Sequence, residues 1–252
     1  MAVIDLKGKV ALVTGSARRV GQRIALTLAE NGMDVVIHYG SDSSAEDAAK
    51  TADQARALGV RAEVIQADLR QRDEIDQLFA RLDQNFGRLD VLVNSAASFD
   101  KSDITKISLE DWEATLNLNL TAPFLCSQHA VHLMREHKTG GSIINILDLS
   151  AFGVWRTFAA HSVSKVGLKA LTEVLALNAA PDIRVNAIAP GPVLRDDGNS
   201  PERWEQIGKG LPLQKTGDPV DVAQAVVFLA TQPFLTGVTI RVDGGEALLR
   251  YS

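Results

Sequence analysis

The sequence predicts an α/β fold: a doubly wound parallel sheet of about seven strands with helices on both faces, in a single domain. Three observations carry this expectation. Short β-rich runs alternate with helical patterns along the whole chain, and such alternation builds parallel sheets through helical crossovers. The strand runs are continuously apolar, as in Val35-Val36-Ile37 and Val91-Leu92-Val93, which suits strands buried on both faces. A glycine-bearing turn, Thr14-Gly15-Ser16-Ala17-Arg18-Arg19-Val20-Gly21, joins the first such run to the first helical pattern.

In chain order, strands are expected near 9–14, 34–39, 61–66, 89–93, 142–148, 183–189 and 237–242. Helices are expected near 19–31, 43–58, 71–86, 109–137, 160–180 and 218–231. The first strand is Val10-Ala11-Leu12-Val13, and the first helix carries Gln22 to Ala29 after the turn. The segment 191–217 is rich in Pro, Gly and Asp and follows a strand. It should project beyond the carboxyl edge of the sheet, where ligands bind in open α/β folds. A mobile substrate lid is the expectation there, with a long surface loop as the alternative. No repeat, low-complexity stretch or linker divides the chain.

The 252 residues, 46% of them hydrophobic, suffice for one large core. A net charge of −5 argues against nucleic acid and against an anionic membrane surface, so any basic site is local, as at Arg18-Arg19. The one cysteine, Cys126, cannot form an internal disulfide, and a reducing compartment is the default. No export signal or membrane-spanning run is evident, so a cytoplasmic location is expected. No metal site is expected.

The turn reads as a dinucleotide-phosphate loop of the Rossmann type. Gly15 allows a tight turn, and Gly21 allows close packing of the helix. The new helix aims its unpaired N–H groups and its dipole at an anion, most often a pyrophosphate. Arg18 and Arg19 exceed what a pyrophosphate alone requires; guanidinium groups pair with phosphate in a fixed bidentate geometry, so a third phosphate is implied. The plain alternative is a pair of solvated helix-start arginines. The second strand ends in His38-Tyr39, then Gly40-Ser41, with no carboxylate placed to accept from a ribose 2′-hydroxyl. Asp42 lies further along and stays open as an acceptor. Together these features favour a 2′-phosphate, hence NADPH/NADP+. Asp68-Leu69, after the third strand, offers a carboxylate for an adenine amino group, with a helix N-cap as the alternative.

Taken together, the motifs resemble the short-chain dehydrogenase/reductase family over essentially the whole chain. Thr14 to Gly21 matches its glycine motif, and Asn94-Ser95-Ala96-Ala97 is similar to its Asn-Asn-Ala-Gly segment, with Ser95 and Ala97 as departures. Asn119 matches its structural and catalytic asparagine, Lys165 its active-site lysine, and Pro190-Gly191 and Asp243-Gly244-Gly245 its late motifs. Within the family the chain most resembles the pteridine reductases. Those carry an Arg two residues before the last loop glycine, as Arg19 stands here. They have a His-Tyr pair and a following Ser, like His38-Tyr39 and Ser41. They place an Asp where most relatives have the catalytic Ser, as at Asp148. Phe99 matches their aromatic residue that stacks a pterin on the nicotinamide, and Trp204 matches a lid aromatic. The resemblance implies cofactor contacts from the loop and second strand, from Asp68 and Leu69, from Asn94 and Ala96, from Lys165, and from Pro190, Gly191 and Val193. It implies catalysis by Asp148, His161, Lys165 and Asn119. Substrate would lie against Ser98, Phe99, Asp148, His161 and Trp204. It also implies a homotetramer, with Arg250 reaching a neighbouring subunit's site.

One residue departs from the family. The proton donor is a tyrosine four residues before the lysine, and here that residue is His161, in His161-Ser162-Val163-Ser164-Lys165. On a helix that spacing keeps both side chains on one face. Three readings compete. His161 donates the proton, oriented by Asp148. Alternatively Asp148, or a water it orders, transfers the proton and His161 binds substrate. Or the family reaction is lost, or His161 is an engineered change. The leading expectation is an NADPH-dependent reductase of pterin-like or cyclic-imine substrates by hydride transfer. The alternatives are a general short-chain carbonyl or 3-oxoacyl reductase, and a non-catalytic NADPH-binding protein. Asp148 speaks against the carbonyl reading, because an ionised carboxylate disfavours a developing oxyanion.

Overall fold

The structure, a computed structural model, describes residues 3–195 and 198–250, with no statement for the Arg250 side chain, so the role expected of Arg250 lies outside it. Seven strands form one parallel sheet: β1 (Val10–Val13), β2 (Asp34–Tyr39), β3 (Ala62–Gln66), β4 (Val91–Asn94), β5 (Gly141–Ile146), β6 (Ile183–Pro190) and β7 (Thr239–Val242). Their order across the sheet is β3-β2-β1-β4-β5-β6-β7, every neighbouring pair parallel. The order reverses between β1 and β4, and a crevice opens there at the carboxyl ends.

Alternation along the strands sends side chains to two cores. Ala11, Val13, Val35, Ile37, Val91 and Val93 pack on one face against α1 (Arg19–Glu30), α2 (Ala45–Ala57) and α8 (Pro219–Thr231). Leu12, Val36, Leu92 and Ile143 pack on the other against α3 (Arg72–Phe86), α5 (Ala122–Glu136) and α6 (Ala159–Ala179). Both faces are covered, which is why the strands read as unbroken apolar runs. No helix among the described residues is long and apolar enough to cross a membrane.

Three elements differ from expectation. The helix expected over 109–137 is interrupted: α4 (Leu109–Leu116) leads through a π-helical turn at Asn117–Thr121 into α5. Pro123 lacks the N–H that would reach the Asn119 carbonyl, so regular α-helical pairing fails there. Within the expected loop 191–217 lies α7 (Pro201–Lys209), capped by Ser200, whose Oγ accepts from Arg203 N at 3.2 Å, with Pro201 at its first position. A short α9 (Glu246–Arg250) follows Gly244-Gly245.

Candidate active site

The crevice between β1 and β4 is a cleft of about 430 Å³. Its back is tied across the switch by Thr14 Oγ1, which accepts from Ser95 N at 2.9 Å and Ala96 N at 3.0 Å. Gly15 has φ +66°, and a Cβ on it would lie 2.9 Å from Ala96 Cα. A Cβ on Gly21 would run into the Gly15 carbonyl oxygen. Both glycines therefore keep an open cradle at the start of α1. Arg19 takes φ +59°, a left-handed conformation that costs a residue with a β-carbon. Arg18 and Arg19 are exposed on the cleft wall, and among the described residues neither guanidinium is spent on a hydrogen bond or ion pair. The first turn of α1 carries no acidic residue. This cradle fits a dinucleotide phosphate group.

The same cleft is lined by Val20, Tyr39, Gly40, Ser41, Leu69 and Ala96, where the sequence reading placed them. Tyr39 OH donates to Gln66 Oε1 at 3.2 Å. Asp42, the one open alternative for a ribose acceptor, accepts from Gln66 Nε2 at 2.8 Å and stands off the cleft wall. Among the described residues, no carboxylate from the β2 tip lines the cleft.

The other expected cofactor contacts, His38, Asp68, Asn94 and the segment 190–193, have partners within the protein. His38 is 1% exposed, and both ring nitrogens are used inside the protein: Nδ1 accepts from Gly15 N at 2.9 Å, and Nε2 donates to the Ala67 carbonyl at 2.9 Å. It lies behind the loop and contributes to the lining of the same cleft. Burial lowers its pKa from 6.5 to about 4, against the Ala67 hydrogen bond and the Asp68 charge. Asp68 is already paired, with Arg70 Nη2 at 2.7 Å from Oδ2 and Nε at 2.9 Å from Oδ1, and Arg70 holds its carboxyl below the usual range. Nor does it cap α3, whose N-cap is Gln71. Asn94 is buried, its amide donating to Asn145 Oδ1 at 2.8 Å and to Ser127 Oγ at 3.2 Å, so its side chain locks β4 to β5 and α5. Pro190, Gly191 and Val193 lie at the end of β6 outside this cleft wall, held by Gly191 N donating to Val242 O at 2.9 Å.

The proton-handling end is assembled from β5, the π turn and α6. Asp148 follows β5 and divides its oxygens. Oδ1 accepts from Ser150 N at 2.8 Å and Ser150 Oγ at 2.5 Å, while Oδ2 meets His161 Nε2 at 2.5 Å. It is at once the cap of a 3₁₀ turn at Leu149–Ala151 and the partner of His161. On the other edge of the ring, Nδ1 lies 3.0 Å from the Ser98 carbonyl. Asn119 Oδ1 accepts from Ser98 N at 2.8 Å, which fixes its amide so that Nδ2 donates to Ser98 O at 3.0 Å and Ser164 Oγ at 3.2 Å. Nε2 of His161 thus faces an acceptor, while Nδ1 lies between an acceptor, the Ser98 carbonyl at 3.0 Å, and a donor, Asn119 Nδ2 at 3.3 Å. Burial works against ionisation of Asp148, but the His161 hydrogen bond, the Lys165 charge and Ser150 outweigh it and keep the carboxyl below its usual range. Lys165 is buried, donates to the Ile146 carbonyl at 2.9 Å, and has its pKa lowered by that burial against the pull of Asp148.

Over this pair sits an aromatic cluster. Phe99, 54% exposed, stacks on Phe158 with centroids 4.5 Å apart and meets the His161 ring edge-on at 4.8 Å. Trp155 lies parallel to the His161 ring at 6.2 Å, and its buried Nε1 has no partner among the described residues. Sequence reasoning missed Trp155, Phe158 and Ser150; the spacing of Phe152, Trp155 and Phe158 between β5 and α6 was the available signal. Trp204 is half-buried on α7 and makes no ring contact with this cluster among the described residues, so the structure does not bring it to the site.

A family model described as "Enoyl-(Acyl carrier protein) reductase" matches residues 15–246. A 3-oxoacyl-[acyl-carrier-protein] reductase of Synechocystis is 38% identical over 247 residues, covering 96% of this chain and 98% of that one. Glucose 1-dehydrogenase 2 of Bacillus subtilis is 35% identical over 251 residues, covering 97% and 96%. The crystal structure of a blue fluorescent protein from a metagenomic library, in complex with NADPH, superposes with a TM-score of 0.87 at 35% identity, covering 96% and 99%. The chain belongs to the short-chain dehydrogenase/reductase family of NAD(P)H-dependent oxidoreductases.

Proposed function

We propose that the protein is an NADPH-dependent reductase of planar, pterin-like or cyclic-imine substrates, and that Asp148 and His161 together supply the proton. The observation that carries this reading is the 2.5 Å contact between Asp148 Oδ2 and His161 Nε2 beside the exposed face of Phe99. NADPH, when bound, supplies the hydride. Arg18 and Arg19 hold the 2′-phosphate, with no carboxylate at the end of β2 to oppose it. Phe99 gives a flat ring a stacking surface. On reduction of a C=N bond, the substrate nitrogen would take its proton from the Asp148–His161 pair. Asp148 is left as a carboxylate facing the Lys165 charge, which stabilises it, and water restores the proton. Contacts of Nδ1 with the Ser98 carbonyl at 3.0 Å and Asn119 Nδ2 at 3.3 Å fix the ring so that Nε2 stays turned to Asp148. A carboxylate partner suits ring nitrogens and an exocyclic amino group. The segment 191–217 acts as the lid, and the protein works as a cytoplasmic homotetramer, as the family resemblance implies.

The identity to a 3-oxoacyl-[acyl-carrier-protein] reductase favours a second reading, reduction of a ketone in the same site. The discriminating experiment is NADPH oxidation by the protein and by His161→Tyr on dihydrobiopterin, dihydrofolate, a cyclic imine and a β-ketoester. Turnover of the first three, falling in the tyrosine variant while ketoester reduction appears, supports the leading reading. Ketoester reduction by the unaltered protein without pterin or imine turnover overturns it. Binding of NADPH without oxidation across the panel makes this a binding protein.

A further inference from the structure

His38 has no hydrogen-bonding capacity left for a ligand, yet it touches the loop that receives one. Its Nδ1 accepts the Gly15 N–H and its Nε2 donates to Ala67 O, each at 2.9 Å. Imidazole can bridge a donor on one side and an acceptor on the other only when neutral, with its proton on Nε2. The backbone of the same residue is fastened to the loop as well: Ser16 N donates to His38 O at 2.9 Å, and His38 N donates to Ser16 Oγ at 3.0 Å. Beyond it, Ala67 N donates to Tyr39 O at 3.0 Å. The loop after β1 is therefore zipped to β2 and through the ring to the exit of β3. The Gly15 N–H is turned inward, so the donors left for an anion are the unpaired amides and guanidinium groups of Arg18 to Gly21.

We propose that His38 is the positioning residue of the cofactor-phosphate loop: the neutral ring pins Gly15 to the Ala67 carbonyl and thereby sets where the donors of Arg18 to Gly21 meet the cofactor's phosphates. The identity of the ligand rests on the NADPH reading above. Removing the ring orphans a buried carbonyl and frees the tightest turn of the loop. Protonating it sets a ring N–H against the Gly15 N–H and breaks the clamp. The charged groups around the ring are Asp68 with its partner Arg70 at the exit of β3, and Arg18 and Arg19 across the loop; β1 contributes none. Burial keeps the ring neutral down to about 4, so the clamp is intact at neutral pH.

The test is calorimetric titration of NADP+ and NAD+ into the full chain, into His38→Gln and into His38→Leu, from about pH 8 down to about pH 4.5. His38→Gln keeps one acceptor and one donor and does not titrate; His38→Leu keeps bulk only. The leucine variant should bind NADP+ on the order of tenfold more weakly, and the glutamine variant should recover most of that loss. Because the buried ring stays mostly neutral down to about 4, the affinities of the unaltered protein and His38→Gln should fall in parallel between about pH 8 and about pH 4.5; the titrating phosphate and carboxylates are common to both. Equal affinity of His38→Leu and the unaltered protein overturns the proposal, as does a His38→Gln affinity no better than that of His38→Leu. If His38→Leu does not fold, the comparison with His38→Gln decides. If the unaltered protein prefers NAD+, the NADPH reading fails while the same variants judge the clamp on NAD+.

Discussion

Acidification should destabilise the fold through His38 by an amount the structure specifies. The ring has an ordinary pKa of 6.5 when the chain is unfolded, and burial lowers it to about 4 in the fold. Between those values the unfolded chain binds more protons than the folded one, so stability falls as pH falls. The contribution is complete above the unfolded pKa and is lost progressively down to the folded one. At about pH 4.5, two units of difference have been traversed at about 1.4 kcal/mol each, less a small saturation, giving a loss of about 2.5 kcal/mol. That is a large share of the roughly 5–15 kcal/mol expected of a domain. The assay is urea unfolding of the unaltered protein and of His38→Gln at neutral pH and at about pH 4.5. Carboxylates titrate in both, so the difference between the two losses isolates the imidazole. A His38→Gln protein that loses as much stability on acidification as the unaltered one refutes the reasoning.

Replacing Arg19 with Gly should relieve a left-handed conformation worth about 1 kcal/mol, raising the melting temperature, while weakening NADP+ by about 10–100-fold and leaving NAD+ nearly unaffected. Calorimetry on both cofactors and a thermal scan check the two effects. Asp148→Asn removes the partner of His161 Nε2 and should lower turnover on the order of 100-fold with cofactor affinity unchanged, read by steady-state kinetics beside an NADP+ titration. Phe79→Ala, in the core between α3 and α5, should cost about 3–5 kcal/mol in urea unfolding with no change in cofactor affinity.

The strands were legible because their neighbours on both faces are apolar, and unbroken runs such as Val91-Leu92-Val93 record that burial directly. The cluster of Asp148, His161 and Lys165 was legible because the three keep the family order, and helical spacing holds the last two on one face. The roles of His38 and Asn94 were not. Each sits in an apolar strand beside a binding loop, where a ligand contact and an internal clamp give the same local sequence. Asn94 is settled by Asn145, a partner 51 residues away. Trp155 and Phe158 lie in an irregular connection, where their three-residue spacing from Phe152 groups them but does not say which way they face. The π turn was masked by apolar periodicity that runs through it, although Pro123 was a sufficient warning. The Ser200-Pro201 pair announced α7, but the surrounding Pro, Gly and Asp made the whole segment read as loop.

The Ser98 carbonyl accepts from Asn119 Nδ2 and lies 3.0 Å from His161 Nδ1, and the next residue is Phe99. One peptide unit thus joins Phe99, the stacking surface of the proposed site, to a contact of the His161 ring. A ligand that shifts Phe99 also strains that contact. Substrate fit and protonation are then read on the same lever. A poorly stacking compound should fail in kcat as well as in KM, because it leaves the acid–base pair out of register even when the site is full.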